Sequence, residues 1–304
     1  MYDTIKLWLP LNGLDSGYIN QITDKLISPK VKIDLETGEK SVHGQILGMD
    51  MMLKQKGLYL GGSICKSYLK DNFQTLTRQD SKEAIAQLSD ILLLPIKDSK
   101  VCRIDIAQNF FMNNKVENYY NHLGQSNYFK RLEQPKSVYY QNGLRTKLFY
   151  NKIEEVKING NPIPFFWHNK NVLRYELRFT KKLPKQFNRA ELLAKNLYDE
   201  KFYIEIIKRW QREYVQIKKI NLLKPKSNDM TSKNANDYLL SSLIEMQGQD
   251  AILSMTELWK NNFKSDREFY RFKAKIKNMK DMVEPSELVA ELDSKIEKQL
   301  EYYY

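Results

Sequence analysis

KSVYYQNGLRTKLFYNKIEEV, Lys136 to Val156, decides how this chain folds. Two runs rich in aromatic and β-branched residues flank Asn142-Gly143, the strongest short hairpin signal in the sequence. A hairpin here fixes an antiparallel pair. Its second run delivers a phenol, an amine and two carboxylates: Tyr150, Lys152, Glu154 and Glu155. Residues i and i+2 of a strand share a face, so Tyr150 and Lys152 are expected to point the same way.

Two other runs carry a similar mixture. KVCRIDIAQNFF (100–111) reads as a strand with Val101, Arg103 and Asp105 on one face and Cys102, Ile104 and Ile106 on the other. NVLRYELRF (171–179) sets Val172, Arg174, Glu176 and Arg178 against Leu173, Tyr175, Leu177 and Phe179. If the three strands adjoin, about 4.8 Å apart, Asp105, Tyr150 and Glu176 meet on one side of a sheet. A buried carboxylate without a partner is costly. Asp105 and Glu176 therefore read either as structural ion pairs with the flanking arginines or as ligands of a hard cation, Mg²⁺ or Mn²⁺. Such a cation polarises a phosphodiester. A tyrosine oxygen can attack phosphorus, and a nearby lysine lowers the phenol's pKa or offsets charge on the phosphorane. Tyr139 and Tyr140, across the hairpin, are rivals to Tyr150 for that role.

Outward from these strands, DTIKLWLPL alternates up to Pro10, and GLYLGGSI contains Gly61-Gly62, read as a bulge, a close backbone approach or a phosphate cradle. SKEAIAQLSDILLL is a helix with Ser81 as its N-cap. The character changes near Pro184. Asn188 with Glu191 reads as a capping box opening RAELLAKNL. Phe202, Ile206, Trp210, Tyr214 and Ile217 recur as a buried stripe. Residues 222–237 read as a polar linker, with Asp237 capping the helix YLLSSLIEMQ. Ser265 and Glu268 cap FYRFKAKIKNM, where Arg267, Arg271 and Lys275 make a basic row. Pro285 opens a last helix with the seam Leu288, Leu292, Ile296 and Leu300, read as intramolecular packing. The expected fold is α+β: an antiparallel-sheet domain over 1–183, then a mostly helical domain over 184–304.

The net charge is +12, from 49 basic and 37 acidic residues among 304, and the basic residues mix with 19 tyrosines and 13 phenylalanines. That pairing tracks phosphates and stacks bases, so nucleic acid is the expected partner. No apolar run reaches the length of a membrane span, so no membrane partner is expected. MYDTIKLWLPL does not read as a signal peptide, and two cysteines fit a reducing bacterial cytoplasm. The three histidines are far apart and have no zinc-site spacing.

CRIDIAQNF, LFYNKIEEV and VLRYELRF together resemble the three ordered motifs of rolling-circle replication initiators of the gene II/X group, found in filamentous phages and related phage-plasmid proteins. The matching residues are Arg103-Ile104-Asp105, then Tyr150 with Lys152 and Glu155, then Arg174-Tyr175-Glu176. GGSICKSYLKDN (61–72) also resembles a family segment in which a basic residue, here Lys66, follows a Gly-Ser turn. The resemblance covers roughly residues 1–185, and SDREFYRFKAKI is a weaker match. It implies a nick in one origin strand through a tyrosine, leaving a 5′-phosphotyrosine and a free 3′-hydroxyl. It implies Tyr150 as nucleophile, Lys152 as electrostatic helper, and Asp105 and Glu176 as catalytic carboxylates, with Glu155 a weaker candidate ligand. Many related nickases hold their metal with a His-x-His pair, which this chain lacks. Carboxylates are therefore the expected ligands, with His43 or His168 as candidates to join them. Expected partners are origin DNA, single-stranded or supercoiled, gripped by Lys66, Arg267, Arg271 and Lys275, together with host helicase and single-strand-binding protein. The alternatives are a non-catalytic DNA-binding module, a mobilisation relaxase and a water-using nuclease.

Overall fold

The computed structural model describes residues 1–11, 16–221, 231–279 and 286–303. Twelve strands run in chain order: β1 (Tyr2–Pro10), β2 (Ile27–Ile33), β3 (Lys40–Ile46), β4 (Met49–Lys54), β5 (Gly57–Ser63), β6 (Lys100–Met112), β7 (Leu123–Ser126), β8 (Lys130–Gln134), β9 (Ser137–Gln141), β10 (Arg145–Asn151), β11 (Asn171–Phe179) and β12 (Ile217–Lys219). Ten of them form one antiparallel sheet in the order β2-β3-β4-β5-β1-β6-β11-β10-β9-β8, and β7 pairs with β12. The first half contributes helices α1 (Ser16–Asp24), α2 (Ile64–Leu69), α3 (Arg78–Leu92), α4 (Glu117–Tyr120) and α5 (Lys152–Ile158). A mostly helical region follows: α6 (Leu183–Gln186), α7 (Glu200–Val215), α8 (Ser232–Gln247), α9 (Gln249–Leu258), α10 (Asp266–Asn278) and α11 (Glu287–Tyr303). This is the α+β architecture expected from the sequence.

The hairpin forms where Asn142-Gly143 places it. Gln141 lies opposite Thr146, and neither Asn142 nor Gly143 takes a positive φ. The Asn142 side-chain oxygen instead accepts from the amides of Leu144 and Arg145, at 2.9 and 2.8 Å. The turn is thus held by an Asx interaction.

One face of the sheet is apolar and closed. Ile5, Leu7, Leu60, Ile104, Phe149, Tyr175 and Leu177 share a core with Leu88 of α3 and with Phe202, Ile206 and Trp210 of α7. The expected stripe on α7 is buried through Tyr214, and Ile217 continues it from β12. Tyr175 stacks at 4.9 Å on Trp210 and donates its hydroxyl to the Trp210 carbonyl. Leu292 and Ile296 of α11 join this core, with Leu288 and Leu300 against it, so the last seam packs within the chain. Helices α8, α9 and α10 gather Ile244, Ile276 and Met279 into a small core of their own.

Several local expectations are corrected. Helix α3 starts at Arg78 because Thr77 and Asp80 form a capping box; Ser81 sits inside the first turn and donates to the Thr77 carbonyl. No helix opens at Asn188; the segment turns helical only in a 3-10 turn over Ala194–Tyr198. There the backbone pairs with β6 (Val101 N to Leu192 O, Ala194 N to Ser99 O, both 2.8 Å), and extended pairing displaces the capping box. Helix α8 is capped by Thr231; Asp237 lies within it and pairs with Lys275. The part of the expected linker from 232 onward is therefore helical, while residues 222–230 and Pro285 lie outside the described residues.

β6 also departs from simple alternation. Lys6 of β1 lies opposite Arg103 and Leu7 opposite Val101, so β6 carries a bulge at Cys102. Val101 therefore turns into the core with Ile104 and Ile106, not outward with Arg103 and Asp105. The close approach expected at Gly61-Gly62 is made by Gly62, whose φ is +151° and where a Cβ would fall 3.2 Å from the Met49 Cα; a second is at Gly57, where a Cβ would fall 2.1 Å from the Trp8 ring. That indole lies flat on the glycine.

Candidate active site

β6, β11 and β10 are neighbours, as the three motifs require of a shared site. Asp105 lies opposite Arg178, Leu148 opposite Glu176 and Tyr150 opposite Arg174. Directly paired antiparallel residues share a face, so Asp105, Glu176, Arg174, Arg178 and Tyr150 all project from the open side of the sheet. Tyr139 lies opposite Leu148 and joins them. Tyr140 points the other way, fully buried, with its hydroxyl on the carbonyls of Leu123 and Gly124 at 3.0 and 2.7 Å. Burial raises its pKa. Of the two rival tyrosines, the geometry removes Tyr140 and keeps Tyr139.

Both motif carboxylates are buried and engaged by arginines. Asp105 receives two bonds from Arg103, at 2.8 and 2.5 Å. Glu176 accepts from Arg178 Nε at 2.8 Å, and the same nitrogen lies 3.9 Å from Asp105. Arg174 bridges Asp3 at 2.9 Å and Glu176 at 3.8 Å, and donates to the Asn72 carbonyl and the Asn109 side chain. Burial pushes the Asp105 carboxyl up to about 7 and nearby Glu176 adds to the rise, while Arg103 and Arg178 oppose it. Two desolvated acids thus share one small region, with arginine nitrogens between and beside them.

Tyr150 lines a cleft of about 330 Å³ with Tyr139, Glu155, Asn159 and Arg178. Its pKa is raised, first by burial; Arg174 lowers it, and Glu176, Asp3 and Glu155 raise it further. The phenol is protonated at neutral pH.

Lys152 is not where strand periodicity puts it. β10 ends at Asn151, whose side chain accepts from the Glu154 amide and caps α5; Glu154 and Glu155 fill its first turn, where acids suit the helix dipole. Lys152 is thus the first residue of a helix rather than a strand neighbour of Tyr150. It is buried against Glu155 at 2.6 Å, with its pKa lowered by burial and by Arg174. Glu155 is shared by Lys152 and Asn159. Helix α5 covers one end of the open face through Ile153 and Val156, which pack with Phe73 and Val172.

Asp3 carries part of the site although no motif contains it. It is held by Ser63 and Asn72, both from the GGSICKSYLKDN segment, and it pairs with Arg174. Ser63 also caps α2, on which Lys66 is exposed. In the helical region Arg267 and Arg271 are exposed, Arg271 pairs with Glu268 at 2.9 Å, and Lys275 pairs with Asp237.

The open face continues past β6. Lys6 lies opposite Gly61, and Trp8 opposite Tyr59, with ring centroids 4.1 Å apart. A second cleft of about 410 Å³ there is lined by Lys6, His43, Asp50, Tyr59 and Gly61. His43 bonds Ser41, and His168 bonds the Ile163 carbonyl. Among the described residues no three of His, Cys, Asp and Glu are grouped to hold a metal. An oxygen-only pair of acids still suits an ion of the Mg²⁺ type, which is held by one or two carboxylates and completed by water and substrate phosphate.

Among the described residues no helix is long and apolar enough to cross a membrane. The phage family model described as the N-terminal region of the gene II replication-associated protein matches residues 1–213. The match spans all three motifs and agrees with the resemblance they carry. No curated protein matches the chain.

Proposed function

The chain belongs to the phage family of gene II replication-associated proteins, and from that premise we propose that it nicks one strand of a replication origin through Tyr150. The observation that carries this reading is the register of β6, β11 and β10, which sets Asp105, Glu176 and Tyr150 on one open face. The Tyr150 oxygen attacks a backbone phosphorus and loses its proton to a carboxylate or to water. A tyrosine–phosphorus bond forms, the bond to the 3′-oxygen breaks, and that oxygen leaves as a hydroxyl after protonation. The phosphotyrosine keeps the bond energy, so a later 3′-hydroxyl can reseal the strand.

Arg178, beside Tyr150 in the cleft, offsets charge on the phosphoryl oxygens. Arg174 favours the phenolate from beneath. Asp105 and Glu176 would hold Mg²⁺ or Mn²⁺, which supplies Lewis-acid charge to the phosphodiester. The two arginines hydrogen-bonded to those acids are partly exposed, Arg103 by 26% and Arg178 by 30% of their side chains, which leaves them free to turn towards a phosphate. Lys152 acts by positioning Glu155. The strand lies along the open face, with bases reaching Trp8 and Tyr59 and the duplex held by Lys66, Arg267, Arg271 and Lys275. Helicase and single-strand-binding protein of the host would extend the nicked product.

The test is a supercoiled origin plasmid with Mn²⁺, analysed for a covalent protein–DNA adduct. Wild-type protein gives the adduct; Asp105→Asn and Glu176→Gln lose it and keep duplex affinity. Cleavage without an adduct marks a water-using nuclease. A second reading, a non-catalytic DNA-binding module, draws on the arginine pairing of both acids. It gains if those two variants lose DNA affinity and the wild type forms no adduct.

A further inference from the structure

We propose that a cleft on the far side of the sheet from Tyr150 is a separate phosphate site that grips the backbone of duplex DNA. It rests on the reading of DNA as substrate. The cleft encloses about 390 Å³ between Leu144, Arg145, Lys182, Lys185, Gln186 and Arg209. Arg145 is on β10, five residues before Tyr150. Odd spacing turns its side chain to the opposite face. Arg209 comes from α7, whose neighbouring residues pack on that face.

The charge balance points to an anion. Among the described residues Glu213 is the one acid paired with this group, and three cations share it: Arg145 at 2.7 Å, Lys147 at 3.1 Å and Arg209 at 3.3 Å. One carboxylate neutralises one of them. Burial lowers the Arg145 pKa and Glu213 opposes that, while Arg209 and Arg212 lower it further, so these cations repel one another. The buried Nε of Arg145 has no hydrogen-bond partner among the described residues. Lys182 and Lys185 stand exposed at the mouth, and Arg212 is exposed one turn along α7. A phosphate placed here meets a forked donor and flexible ammonium groups, and it relieves the excess positive charge. Arg145 and Tyr150 are five residues apart, about 17 Å along β10, on opposite faces of the sheet. A duplex held here by its phosphates presents the neighbouring strand to the edge of the open face.

The test is the double variant Lys182→Gln, Lys185→Gln, both exposed and outside the nicking machinery. Duplex affinity is measured by fluorescence anisotropy across a salt series. The expected result is a salt slope shallower by about 2, roughly 0.9 for each lost contact, with nicking of a short single-stranded substrate unchanged. An unaltered slope overturns the proposal. Equal loss of single-strand nicking assigns the cleft to the nicking site and also overturns it. A thermal shift with inorganic phosphate, lost in the variant while duplex affinity stays, assigns a free anion instead of DNA. The slopes are read from binding alone, so they remain decisive even if no protein nicks and the Tyr150 mechanism fails.

Discussion

Tyr150 lies directly across the β10–β11 ladder from Arg174, and Arg174 is the buried cation that joins Asp3 to Glu176. Counting its bond to Asn109 of β6, one guanidinium on β11 ties β1, β6 and β11 together beside the phenol. Its removal leaves the buried Asp3 without a cation, while Glu176 keeps Arg178. Arg174→Met is expected to cost about 3–5 kcal/mol, as for other broken buried pairs. Adding Asp3→Asn restores part of it. Urea unfolding of the single and double variants measures the difference; equal stability of the two would show that Asp3 does not depend on Arg174.

The two faces of the β9–β10 hairpin separate the tyrosines. Tyr150→Phe is expected to abolish the covalent adduct while leaving stability within about 1 kcal/mol. Tyr139→Phe keeps the adduct. Tyr140→Phe keeps it too but destabilises the fold by about 1–3 kcal/mol, since two buried carbonyls lose their donor. Adduct gels and thermal melts on the same three proteins check all of these outcomes.

Trp8, flat on Gly57 and tilted against Tyr59, offers a surface for an unpaired base. Trp8→Ala is expected to weaken single-strand binding by about 1–3 kcal/mol and duplex binding much less. Anisotropy with a short single strand and with its duplex gives the comparison. Equal losses on both would place the ring outside the single-strand path.

Alkaline stability carries a signature from Lys219. Its ammonium sits over the Tyr214 ring and donates to the carbonyls of Tyr214 and Ile217. Burial lowers its pKa to about 8; Asp293 opposes the shift and Lys147 adds to it. Between pH 8 and the ordinary lysine value the unfolded chain binds more protons than the folded one. Stability therefore rises with pH in that window, by at most about 1.4 kcal/mol per unit from this group. Lys147 and Lys152, also lowered by burial, act with the same sign. Cys65, raised by burial to about 12, opposes the rise from about pH 9, and Tyr18 and Tyr119, also raised to about 12, oppose it above pH 10. Lys219→Met is expected to flatten the rise between pH 8 and 10 in denaturant titrations. An unchanged slope would show that Lys219 titrates normally.

Where period and partner agreed, the sequence was a sufficient guide. β11 alternates without interruption, and its polar side is the site. The hairpin at Asn142 and the stripe on α7 were equally plain. The bulge at Cys102 was hidden because it exists only relative to β1, and no spacing within β6 reveals it. The start of α5 was visible in Asn151 followed by Glu154 and Glu155, a capping residue and an acidic first turn, but the apolar run before it masked the change of period. Asp3 was beyond reach, since Ser63, Asn72 and Arg174 meet it only after the sheet closes. The arginine pairing of Asp105 and Glu176 was one of the two readings open to the sequence. Choosing partners required the register.

The bulge at Cys102 fixes the length of β6: the strand cannot gain or lose a residue between Val101 and Asp105 without reversing the faces beyond it. A single added or missing residue there would rotate the aspartate into the oily layer and push an aliphatic chain out among the arginines. In that segment the number of residues matters as much as their kind.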